Sequence, residues 1–101
     1  MANLDQTRSK TTPYDAAEYL KTSERMAAYL EAAFEEGDPR YIVKALGNLA
    51  RVRGMSQLAK DTGLTREVLN SSLSERGNPT LSTLLKVTKA LGIQLKAAAR
   101  T

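Results

Sequence analysis

Glycines at positions 37, 54, 63 and 92 each fall where a run of apolar residues at three- and four-residue spacing stops, which restricts the chain to a series of short helices. Before Gly37, the residues Met26, Tyr29, Leu30, Ala33 and Phe34 follow the i, i+3, i+4, i+7, i+8 pattern of one helix face, and Thr22 and Ser23 can cap it. The other face carries Glu24, Glu31 and Glu35. Asp38-Pro39 has the form of an N-cap followed by proline at the first helical position, and Ile42, Leu46, Leu49 and Ala50 line a second helix up to Gly54. So short a link between the two helices predicts antiparallel or steeply crossing neighbours that share a core.

Beyond Gly54 the helices shorten. Ser56 is placed to cap a segment ending near Asp61, Thr62-Gly63-Leu64 forms a turn, and Thr65 caps a helix to about Leu73. A loop over 74–79 follows, and Thr80 starts a last helix whose inner stripe is expected at Leu81, Leu84, Leu85, Thr88 and Leu91. Residues 93–97 alternate apolar and polar, a pattern that permits a short C-terminal strand. The fold class is therefore all-α, a compact bundle of about five helices. Residues 1–12 are polar and expected to be a disordered tail, residues 13–37 an arm and an acidic helix, and residues 38–97 the main helical domain.

The chain lacks both cysteine and histidine, which removes disulfides, thiolate metal sites, imidazole ligands and histidine bases. Glu31, Glu35, Glu36 and Asp38 cluster near a helix end, yet no glycine-rich phosphate loop, nucleophile motif or second ligand cluster accompanies them. The expectation is a protein that is not an enzyme and takes no cofactor or metal. Neither an export signal nor a membrane-spanning run is present, so a cytoplasmic address is expected. Charge divides along the chain: residues 1–39 hold four basic and eight acidic side chains, residues 40–101 eleven basic and three acidic. A basic half suits phosphate, and an acidic half suits a basic protein surface.

The stretch from Gln57 to Leu73 gives the basic half a specific use. Two short helices that cross steeply need a small residue near the crossing, a glycine in the turn and apolar residues that pin both to a third helix. Ala59, Gly63 and the set Leu58, Leu64, Leu69 and Leu73 meet those needs. Capping by Thr65 then leaves the first turn of the second helix to project Arg66, Glu67, Asn70 and Ser71 outward, the layout of a helix-turn-helix that reads the major groove. Arg66 suits a guanine edge, Asn70 adenine and Glu67 a cytosine amino group; Arg66 and Asn70 equally suit a phosphate, and Glu67 equally suits the positive end of its own helix. Ser56 and Gln57 at the start of the first helix, with Arg76 and Asn78 in the following loop, suit phosphates, and Lys60 does so less well.

The segments 53–59, 62–67, 77–80 and 84–92 resemble the Xre-type helix-turn-helix domains of phage repressors. More narrowly, with Tyr14–Leu20, Tyr29–Ala33, Glu36-Gly37-Asp38 and Ala45-Leu46-Gly47 added, the chain resembles addiction-module antidote proteins, HigA-like antitoxins encoded beside a RelE-like or HigB-like toxin, over about residues 12–97. It departs from the Xre pattern in three places. Only Gln57 separates Ser56 from Leu58, which shortens the first helix, and Thr62 and Ser72 stand where apolar residues are usual.

This resemblance implies a homodimer that binds double-stranded operator DNA through Thr65, Arg66, Glu67, Asn70 and Ser71. It also implies a basic toxin as partner, met by Glu31, Glu35 and Glu36 or anchored by Tyr14 and Tyr19, with repression of the shared operon. A stand-alone Xre-type regulator with no toxin partner, or an interaction adaptor that no longer binds DNA, is the alternative that the residues leave open.

Overall fold

A computed structural model describes residues 20–100 of the chain. Five helices lie among them: α1 (Ser23–Glu36), α2 (Pro39–Arg53), α3 (Met55–Thr62), α4 (Arg66–Ser72) and α5 (Leu81–Ala90). Four begin at a side chain that accepts from an otherwise unpaired backbone N–H, which lowers the cost of starting a helix. Thr22 accepts from the Arg25 amide at 3.2 Å, Asp38 from Arg40 at 2.9 Å, Thr65 from Val68 at 3.1 Å and Thr80 from Thr83 at 3.1 Å. The Arg40 amide, first among the causes, and the Arg40 guanidinium hold the Asp38 carboxyl below its ordinary range.

The start of α3 corrects the expectation for Ser56. Gly54, at φ 101°, closes α2 and is itself the N-cap of α3, so the helix begins at Met55 without a side-chain cap and Ser56 is its second residue. With one residue joining the two helices, no separate capping position is left.

A single aliphatic cluster unites the helices. Leu30, Leu46, Leu49, Leu58, Leu69, Val87 and Leu91 are fully buried, with Leu20, Met26 and Leu73 nearly so. Each such side chain removed from water contributes about 1.5–3 kcal/mol before entropy is counted. α1 lies against α2, while α3 touches α2, α4 and α5 and so occupies the middle of the assembly. The C-terminal end of α5 is tied at two points: the Ser23 hydroxyl donates to the Leu91 carbonyl at 3.2 Å, and Arg53 donates to the Ala90 carbonyl at 2.9 Å.

Two expectations fail at the C-terminal end. Leu81 and Leu85 are 68% and 48% exposed; Thr88 and Leu91 are buried as expected and Leu84 is half-buried, but Thr83 and Val87 complete the inner face. Threonine can take those places because its hydroxyl is satisfied locally: Thr88 donates to the Leu84 carbonyl at 3.0 Å, and Thr83 accepts from Thr80 at 3.2 Å. No strand occurs among the described residues. Residues 93–97 keep the alternation, with Ile93 buried, Leu95 half-buried and Gln94 and Lys96 exposed, but no second strand lies beside them among the described residues. The tail at 1–12, Tyr14 and Tyr19 lie outside the described residues.

Candidate nucleic-acid interface

The turn between α3 and α4 is built by three neighbouring residues. Gly63 adopts φ 75°, a left-handed conformation that costs an L-residue roughly 1–2 kcal/mol, and donates its amide to the Ala59 carbonyl at 2.9 Å. Thr62 clasps the same turn, its hydroxyl donating to the Leu58 carbonyl at 2.7 Å and accepting from the Leu64 amide at 3.2 Å. Thr65 then caps α4. The departure at Thr62 is thus a polar substitute for apolar packing, legible only once its hydroxyl is known to find both partners within four residues.

These constraints fix which way α4 faces. Leu69 and Leu73 are buried and Leu64 is half-buried, so Arg66 and Glu67 in the first turn, and Asn70 and Ser71 one turn later, share the exposed face. Thr65 is exposed at the start of the same helix. Ser56 and Gln57 are exposed in the first turn of α3, and Arg76 and Asn78 in the loop that follows α4. All nine residues singled out for DNA are therefore solvent-accessible. Gln57 is engaged within its own helix, donating to Asp61 at 2.9 Å, and Asp61 also lies 3.8 Å from the Arg53 guanidinium.

Glu31, Glu35 and Glu36 sit apart in the sequence of elements, exposed on α1, which packs on α2. Among the described residues no group of three His, Cys, Asp or Glu side chains can hold a metal ion, and no helix is long and apolar enough to cross a membrane.

Sequence reasoning missed a close approach between α4 and α2. A Cβ on Gly47 would stand 2.8 Å from the Leu73 carbonyl oxygen, so the end of α4 rests on the backbone of α2 at this point. Ala59, expected near a crossing, is half-buried against the core. A glycine in mid-helix, where glycine is unfavourable, was the available signal.

The fold and its faces define a small all-α protein with a polar two-helix unit on one element pair and an acidic helix on another. Residues 10–99 match the family described as "probable addiction module antidote protein", and the chain belongs to that family. A protein of Haemophilus influenzae, which bears only the name "Uncharacterized protein", is 45% identical over 83 residues, covering 82% of this chain and 86% of that one. No solved structure shows a significant match.

Proposed function

We propose that the chain is the DNA-binding antitoxin of a type II toxin–antitoxin module: it neutralises a RelE/HigB-like toxin and, as a homodimer, represses the operon that encodes both. Membership of an antidote family supports the antitoxin part. The DNA part is carried by one observation, the capped α4 whose exposed face holds Arg66, Glu67, Asn70 and Ser71 while Leu69 and Leu73 anchor it from behind.

In this reading α3 and α4 form a helix-turn-helix of the Xre type, with α4 in the major groove. Arg66 and Asn70 present the donors and acceptors that distinguish guanine and adenine edges, and Ser56, Gln57, Arg76 and Asn78 hold phosphates on either side. The role is regulatory and non-catalytic.

Selection of binding sites from random duplexes tests the assignment. Arg66→Ala is expected to weaken specific binding by about 1–3 kcal/mol and to relax one position of the selected sequence. Gln57→Ala is expected to lower affinity without changing the preference. An unchanged selected sequence for Arg66→Ala removes Arg66 from base reading.

A further inference from the structure

An apolar groove of about 510 Å³ opens between α1, α5 and the segment that follows α5, away from the α3–α4 unit. Ala27, Leu30 and Phe34 of α1, Leu84 of α5, and Ile93 and Leu95 beyond it supply its apolar lining. Phe34, the only phenylalanine of the chain, is 40% exposed here rather than inserted in the core. Glu31 lines the α1 side and Lys96 the side beyond α5; α1 as a whole carries four exposed carboxylates (Glu24, Glu31, Glu35, Glu36) and one cation, Arg25, so its face of the groove is the acidic one.

The segment beyond α5 has strand character without a strand partner. Ile93 is buried and Leu95 half-buried, while Gln94 and Lys96 stay exposed along the groove, yet the backbone groups of residues 94–97 make no hydrogen bond within the described residues. Such a segment offers N–H and C=O groups to an incoming strand, and the adjoining apolar wall offers seats for its alternate side chains. An occupant must therefore bring apolar side chains on one face and must tolerate the carboxylates of α1. Duplex DNA meets neither condition, whereas a strand flanked by lysine or arginine meets both.

We infer that this groove is the docking seat for a cationic strand of the toxin, which adds alongside residues 93–97 and lodges its apolar side chains against Phe34, Leu84 and Leu95. The inference rests on the antitoxin reading above and specifies its protein-binding surface. Its anchor is the apolar groove, and the acidic face of α1 serves to attract and orient the partner.

Titration of the purified chain with a purified RelE-like protein, the toxin of the proposed module, followed by affinity measurement and by amide resonances, tests the inference. Phe34→Asp is expected to weaken toxin binding by at least about tenfold while Phe34→Leu stays close to wild type, the usual contrast for an anchor in a partly buried pocket. Amides of residues 93–97 are expected to shift and to gain protection from exchange when the toxin binds. Circular dichroism and melting of both variants establish that they are folded. Wild-type toxin affinity in a folded Phe34→Asp variant, or shifts confined to residues 1–20 or to α4, overturns the groove and leaves the antitoxin reading standing. Shifts at 93–97 that grow with the concentration of the chain alone make the groove a surface for a second copy, which also overturns it. If the wild-type chain fails to bind the toxin at all, the groove and the antitoxin reading fall together.

Discussion

A methyl group added to Gly47 would meet the Leu73 carbonyl oxygen at 2.8 Å, whereas one added to Gly63 would meet nothing within 4 Å, so the two glycines are required for different reasons. Gly63 is there for its φ of 75°, and the crowding toward Ala59 that its place in the turn suggests is absent. Gly63→Ala should therefore cost about 1–2 kcal/mol through backbone strain alone. Gly47→Ala should be destabilising by about 1–3 kcal/mol although alanine is the better helix former, because α4 must move off α2 to make room. Urea unfolding of the two variants checks both values; a Gly47→Ala variant more stable than wild type would show that the α4 contact yields easily. Thr62 shows the complementary case, where a polar residue at an apolar position is accommodated because one hydroxyl serves both a carbonyl and an amide.

Among the elements, those whose ends carry side-chain caps or glycines were legible in the sequence, because the signals at Thr22, Asp38, Thr65 and Thr80 act within three residues. The exposed face of α4 was legible for a related reason: Thr65 sets its start, and Leu69 and Leu73 set its inner side. What failed required knowledge of neighbours. In α5 Thr88 and Leu91 are buried as the pattern predicts, but Leu81 and Leu85, favoured because leucine outranks threonine in apolarity, give way to Thr83 and Val87, and the Thr83 hydroxyl is satisfied by Thr80. The 93–97 alternation was genuine, yet a strand also needs a partner. At the head of α2, the depressed Asp38 carboxyl stabilises the native state above the ordinary carboxylate range, and this contribution is lost as pH falls through its lowered native value. The melting difference between wild type and Asp38→Ala should accordingly be largest near neutral pH and shrink in acid. For α1, replacing Glu31, Glu35 and Glu36 together by Gln should weaken binding to a basic toxin while leaving operator affinity equal or slightly improved, since lost negative charge cannot reduce attraction to phosphate. Titration of that variant against both ligands at one salt concentration is the check, and unchanged toxin affinity would take the acidic face out of the interface.

At the scale of the whole molecule, charge is divided along the chain: eight of its eleven carboxylates precede Arg40 and eleven of its fifteen cations follow Pro39. One cluster of buried aliphatic side chains joins the acidic α1 to the basic remainder, so both faces are displayed by a single folded body. Under the proposed function, this separation would keep the toxin and the DNA from competing for the same charge. Whether α3 and α4 read a particular DNA sequence, as proposed, is decided by the affinity of the chain for its own promoter and for a scrambled duplex across a range of salt. The expected result is a preference for the promoter of about 10³ or more at physiological salt, with affinity for both duplexes falling steeply as salt rises. Equal affinity for the two duplexes, or binding that salt leaves unchanged, would contradict it.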